Sequence, residues 1–170
     1  FDQFLSHLPS GVQLFSMFLA RPEFLRLLAE IVGSAPRLAG HLARSPATLD
    51  ALLDPDFLGQ LPTRAELAVS LRGQLRGAGN YEATLDAVRR FAREQIFRVG
   101  VQVVHGTAKA EQAGPAFARI AETVIAGLLP RVETELADRS GRIPGADVAV
   151  VAMAKLGVRG MTAASELDLV

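Results

Sequence analysis

The sequence predicts a mostly α chain with a small β portion, an α+β protein in which a helical bundle comes first and the truncated start of a mixed sheet second. Three observations predict it. Apolar residues recur at helical spacing from residue 10 to about residue 137, and Pro, Ser and Thr stand where those runs begin. After Gly145 the pattern changes to the β-branched run 147–153, too short for a typical helix, and a second apolar stretch closes the chain at 166–170. With 170 residues, 49% of them hydrophobic, the chain has material for one good core or two small ones.

The elements follow in order from their start and stop signals. Ser10 with Gln13, and Thr63 with Glu66, have capping-box spacing, which satisfies two free amides at a helix start. Pro22, Pro36 and Pro46 open apolar runs where a missing amide hydrogen costs nothing, with Ser34 and Ser45 as caps of the latter two. Val12, Phe15, Phe18 and Leu19 form one stripe, and Leu25, Leu28, Ile31 and Val32 the next. Gly73, Gly77 and Gly79 end a helix, and Asn80 caps the longest one, over 81–104, which buries Leu85, Val88, Phe91, Ile96, Val99 and Val103. Gly106 closes it. Thr107, or Gly114 with Pro115, opens another that carries Phe117, Ile120, Val124, Leu128 and Leu136, with a kink at Pro130. The turn-rich stretch 139–145 then separates helices from strands, at 147–153 and 166–170. The short connections pack the helices closely.

Composition narrows the function classes. Eighteen basic and eighteen acidic residues give formal charge +0, so no global field draws the chain to nucleic acid or to an anionic membrane. No run approaches the roughly 20 apolar residues of a membrane helix. There is no cysteine, which excludes disulfides, zinc-thiolate sites and cysteine nucleophiles. The amino end has no signal-peptide pattern, and the cytoplasm is the expected compartment. His7, His41 and His105 are too scattered for a zinc site, and Arg89, Arg90 and Arg93, beside Asp86 and Glu94, read as a solvated helix face. The sequence starts mid-pattern without a methionine and stops in an apolar strand, so it reads as a fragment.

The chemistry concentrates at the carboxyl end, in Ala154-Lys155-Leu156-Gly157-Val158-Arg159-Gly160-Met161-Thr162-Ala163-Ala164-Ser165-Glu166-Leu167-Asp168-Leu169-Val170. Glu166 and Asp168 are two apart, so on a strand they share a face. Paired carboxylates there suit divalent cations that bind a triphosphate, and a glycine turn lets backbone amides approach phosphate oxygens. Lys155 and Arg159 flank that turn as candidate phosphate contacts.

This string resembles the nucleotidyltransferase signature of the glutamine synthetase adenylyltransferase family, approximately G-K-L-G-G-R-E-(L/M)-T-A-(G/A)-S-D-L-D-L-(I/V). The stretches 4–5 with 11–15, 35–39, 49–55 and 89–101 also look like the helical region of that family, so the resemblance covers nearly the whole chain. It implies a helical domain over 1–106 and the start of a nucleotidyltransferase domain over 107–170. It further implies Mg2+ held by Glu166 and Asp168 as metal ligands and catalytic residues, and ATP as a substrate contacted by Lys155, Gly157, Val158, Arg159 and Ser165. The implied partners are glutamine synthetase and the PII signalling protein, with no nucleic acid and no membrane.

Four positions depart from the signature: Ala154 and Val158 stand for glycines, Gly160 for glutamate and Glu166 for aspartate. Valine adds bulk and disfavours a positive φ in the turn, and glutamate lengthens the ligand by one methylene. The wording of 161–165 favours the carboxy-terminal, adenylylating half of the family over the deadenylylating half. The resemblance thus implies transfer of AMP from ATP to a tyrosine of glutamine synthetase, with the chain alone inactive because a further acidic ligand is expected on a later strand. A helical interaction module with a degenerate nucleotidyl site is the alternative from another class, favoured by Val158 and Gly160.

Overall fold

The computed structural model describes residues 19, 22–44, 51, 52, 54–142, 145 and 147–170. The expected Ser10–Gln13 pair, the stripe at Val12, Phe15 and Phe18, the start at Ser45 and Pro46, and His7 lie outside the described residues. The described chain is mostly α-helical, as the sequence predicts. Its contacts divide into two compact units. One holds the described residues up to Leu61 together with Phe97–Lys109, and the other holds Pro62–Ile96 with Ala110–Val170.

In the first unit, α1 (Pro22–Ser34) starts at its proline and carries Glu23 in the first turn, where a negative charge meets the free amides. It buries Phe24, Leu27, Leu28 and Ile31. The buried stripe is thus turned from the expected one, and Leu25 is exposed, because Phe24 and Leu27 complete the i, i+3, i+4, i+7 face with Leu28 and Ile31. Ser34 does not cap the next helix. Its hydroxyl donates back to the Glu30 carbonyl, and Ala35 alone separates α1 from α2 (Pro36–Arg44). Ala35 serves both helices, since its N–H donates to Ile31 and its carbonyl accepts from Ala39.

The core of this unit joins the α1 stripe to Leu42, Leu52, Phe57, Phe97 and Val101, with Phe97 stacked on His41 at 4.9 Å and tilted against Phe57 at 6.1 Å. Gly100 admits Leu38 of α2, since a Cβ there would lie 2.9 Å from Leu38 Cδ2. A 3-10 turn (Pro55–Leu58), capped by the Asp54 carboxylate accepting from the Asp56 amide, supplies Phe57. The turn and the residues after it expose carbonyls to side chains of 97–104. Gln102, fully buried, donates through Nε2 to the carbonyls of Phe57 at 3.0 Å, Gly59 at 3.0 Å and Gln60 at 3.3 Å. Arg98 donates to those of Asp56 at 2.6 Å and Phe57 at 3.3 Å and lies over the Phe57 ring.

In the second unit, α3 (Arg64–Leu75) has the expected capping box: Thr63 Oγ1 accepts from the Glu66 amide at 3.3 Å, and the Thr63 amide donates to Glu66 at 2.8 Å. Its buried Leu67, Leu71 and Leu75 pack on α5, where Gly127 makes room: a Cβ there would stand 2.6 Å from Leu71 Cδ2. Helix α4 (Tyr81–Val104) has the predicted bounds and cap, with Asn80 Oδ1 accepting from the Ala83 amide at 2.7 Å. Of its expected buried side, Val88, Phe91 and Val99 are buried and Leu85, Ile96 and Val103 half-buried. Thr84, Ala87, Phe97, Val101 and Gln102 are buried as well, because α4 contributes to both units and has no single wet face.

Helix α5 (Ala110–Ser140) begins neither at Thr107 nor at Gly114. The Thr107 hydroxyl and the Ala108 amide close the end of α4 by donating to the Gln102 carbonyl. Gly114 and Pro115 therefore lie inside α5, and the helix also runs on through Pro130. It ends where Gly141, at φ 81°, donates to the Ala137 carbonyl.

The expected small β portion is the main correction. Among the described residues no strand forms: 147–150 is irregular and exposed, and the pairing of 151–153 with 168–170 is one isolated antiparallel bridge, Ala152 with Leu169. Three main-chain bonds hold it, and Val151, Met153, Leu169 and Val170 remain exposed on its two faces, which is too little pairing and burial to extend a ladder.

Replacing Gln102 by Leu keeps the volume but removes the amide donor from three carbonyls. A loss of about 2 kcal/mol is expected, read as a lower urea midpoint at unchanged m.

Candidate functional site

The bridge gives Asp168 its frame. Val151 and Val170 exchange main-chain bonds at 2.7 and 3.1 Å, and the Met153 amide donates to the Asp168 carbonyl at 3.0 Å. Opposed residues of an antiparallel pair share a face, so Asp168 lies with Met153, and Val170 with Val151. Glu166 precedes Asp168 by two residues and lies outside the bonded positions, so the shared face expected of a strand is not set by pairing there. Both are exposed, and neither carboxylate has a hydrogen bond or ion pair among the described residues. Among those residues no group of three His, Cys, Asp or Glu side chains gathers as a metal site.

The stretch read as a glycine turn is a short helix, α6 (Ala154–Gly157), followed by a turn over 158–160. Four successive amides are used within it: Gly157 donates to Met153, Val158 to Ala154, Arg159 to Leu156 and Gly160 to Lys155. Gly157 is required for a close approach, since a Cβ would lie 2.8 Å from the Ala152 carbonyl oxygen. The positive φ angles fall elsewhere than expected, at Ala154 with 46° and Arg159 with 53°. Val158 takes φ −93° and ψ 4°, on the negative-φ side and so not the left-handed backbone that would call for glycine, and the residue is 79% exposed. The position where alanine replaces a signature glycine is thus one where glycine would remove strain.

Leu156 and Met161, on either side of the turn, are buried. Arg159 is committed to Glu122 of α5, its Nε donating to Oε1 at 3.2 Å and a terminal nitrogen to Oε2 at 3.4 Å. Gly114 of α5 lies under this stretch: a Cβ there would be 3.1 Å from the Arg159 carbonyl oxygen and 3.6 Å from Gly160 Cα. Lys155 is exposed, without an ion pair among the described residues. Ser165, half-buried, closes a second turn, its Oγ accepting from the Thr162 amide at 2.9 Å and its amide donating to the Thr162 carbonyl at 3.1 Å.

The structure therefore places Lys155, Gly157, Val158 and Arg159 on one short helix and turn, fastens Asp168 to the segment that leads into it, and sets Ser165 and Glu166 in the link between. Gly114, Glu122 and Met161 are contributors that sequence reasoning missed. Gly114 read as a helix start, and nothing in the helical pattern around Glu122 distinguishes it from a solvated acid.

Comparison with known proteins adds a family. A sequence profile described as glutamate-ammonia ligase adenylyltransferase matches residues 25–170. Relatives named bifunctional glutamine synthetase adenylyltransferase/adenylyl-removing enzyme include those of Brucella suis and Mesorhizobium japonicum, each 44% identical over all 170 residues. That of Caulobacter vibrioides is 46% identical over 169 residues, or 99% of the chain. The chain spans 17% of the first two relatives and 16% of the third.

Two substitutions with opposite signs test the backbone reading. Ala154→Gly is expected to raise stability by about 0.5–1 kcal/mol by relieving a left-handed residue. Gly157→Ala should lower it by about 1–2 kcal/mol through contact with the Ala152 carbonyl. Thermal unfolding of the two variants beside the parent provides the check.

Proposed function

The chain belongs to the glutamate-ammonia ligase adenylyltransferase family, and on that premise we propose that it forms part of an enzyme that transfers AMP from ATP to a tyrosine hydroxyl of glutamine synthetase. The observation that carries the proposal is the exposed carboxylate of Asp168, unpaired among the described residues and registered by the Met153 bond next to α6, with Glu166 two positions before it. In this reading the tyrosine oxygen attacks the α-phosphorus in line and pyrophosphate leaves. The division into a helical domain over 1–106 and a nucleotidyltransferase domain over 107–170, the cytoplasmic setting and the PII protein as regulatory partner belong to the same proposal. No helix among the described residues is long and apolar enough to cross a membrane.

Two exposed carboxylates fit Mg2+, which is commonly held by one or two carboxylates plus substrate phosphates and keeps several waters. Glu166 and Asp168 would hold it, and bound there it would offset phosphate charge. Lys155 contributes a second local charge as a phosphate contact, and Gly157 and Val158 give the turn its close, exposed backbone. Arg159 and Ser165 complete the candidate set, each already tied within the fold, to Glu122 and Thr162. The family resemblance implies a further acidic ligand besides these two, and for that reason the chain alone is expected to be inactive. The adenylylating direction is favoured over adenylyl removal by the wording of 161–165.

One observation favours a second reading, a helical interaction module. The amides of 157–160 are all engaged within the turn, so in this conformation they offer no donors to phosphate.

The two readings separate in the full-length protein. Asp168→Asn removes a full negative charge from the metal position and is expected to cut AMP transfer at saturating magnesium by about two orders of magnitude or more. Glu166→Asp, which shortens the reach, should preserve or raise the rate. Near-parental transfer by Asp168→Asn would decide for the module.

A further inference from the structure

We propose that Glu122 of α5 is a positioning residue for nucleotide binding, acting through Arg159 to hold the 157–160 turn in place. The inference rests on the proposed nucleotidyl-transfer reading and extends it to a residue outside the signature. Glu122 and Arg159 are 37 positions apart and meet through a two-pronged contact, with Nε to Oε1 at 3.2 Å, one terminal nitrogen to Oε2 at 3.4 Å and the same nitrogen to Oε1 at 3.1 Å. A forked guanidinium contact fixes direction as well as distance. The Glu122 side chain is 23% exposed and that of Arg159 60%, so the carboxylate is the more desolvated partner and the one that depends on the pair.

The turn needs such a hold. Arg159 sits at φ 53°, a conformation that persists in an L-residue only where the surroundings impose it. The main chain at 159–161 passes Gly114 of the same helix, 3.1 Å from where a Cβ would stand, and Met161 is buried just beyond. Gly114 gives the turn its seat, Met161 closes its far side, and Glu122 sets the charged residue between them. The turn also holds Lys155, whose carbonyl accepts from the Gly160 amide, so a phosphate arriving at Lys155 meets a preset charge rather than one it must order, and that ordering cost is what Glu122 removes.

Steady-state AMP transfer by the full-length protein at varied ATP tests this. Lys155 would contact phosphate in the ground and transition states alike, so Glu122→Gln is expected to raise KM for ATP about tenfold with kcat changed less than about twofold. The reversed pair, Glu122→Arg with Arg159→Glu, should bring KM most of the way back, which a merely missing charge would not. An unchanged or lowered KM for Glu122→Gln overturns the proposal, the lowered value meaning that Glu122 withholds Arg159 from phosphate. Failure of the reversed pair to rescue overturns it too, because Arg159 would then act on phosphate itself. If Glu122→Gln does not yield folded protein, Glu122→Asp keeps the charge but shortens the reach by one methylene and so opens the fork while leaving Arg159 in place, with a smaller rise in KM expected and an unchanged KM overturning the proposal. Asp168→Asn run in parallel keeps the two readings apart. An inactive Asp168→Asn with a null Glu122→Gln sinks the positioning role alone, whereas near-parental Asp168→Asn sinks the nucleotidyl-transfer reading.

Discussion

The second unit is organised by a close approach: the main chain at 159–161 passes so near α5 at Gly114 that a Cβ there would stand 3.1 Å from the Arg159 carbonyl oxygen, and any side chain would have to displace it. The other features of the stretch follow from that approach. Arg159 is carried into reach of Glu122, the link between Leu156 and Met161 can sink both side chains, and the backbone must turn through a left-handed residue to make the passage. Gly157 repeats the condition on the other side, against the Ala152 carbonyl, so the short helix has close backbone contacts at both ends. The helix is four residues long, too short to be stable by itself, and it is held by what it touches.

Helix starts were the most legible part of the chain because their physics is local. Thr63 with Glu66, Asn80, Pro22 and Pro36 satisfy or dispense with amides a few residues away, and each marks a true start. Faces were less legible. The choice between Leu25 and Phe24 on α1 depends on what surrounds the helix, and α4 shows no clean stripe because it contributes to two units. Ser34 had the composition of a cap and spent its hydroxyl on the preceding turn instead. The β portion failed for a related reason. A run of β-branched residues states a preference, but a ladder needs partners along its length, and 147–150 has none among the described residues.

At the candidate site the residue types were legible and their commitments were not. Two carboxylates two positions apart, beside a lysine and an arginine, can be read from the string. That Arg159 is held by a carboxylate on another helix, that Ser165 is tied to Thr162, and that four amides are internally satisfied are tertiary facts with no local signature. The concern raised by valine at 158 dissolved in the same way, because the strained backbone is one position along and at Ala154. The net charge of the chain said nothing here either: among the described residues Lys155, Asp168 and Glu166 stay unpaired while Arg159 does not, and that local assignment decides which groups are available to a ligand.

Gln102 also sets a schedule. Its amide meets carbonyls 42 to 45 positions earlier in the chain, so the 57–60 segment is synthesised well before the group that will secure it. At translation rates of about 5–20 residues per second, that segment waits roughly 2–9 s for its partner. During the interval the cluster of Phe57 with the α1 stripe, Leu42 and Leu52 lacks Phe97 and Val101, and it is complete only after the end of α4 has emerged. The order of synthesis thus leaves the carbonyls of that segment to water until one buried glutamine arrives to take them.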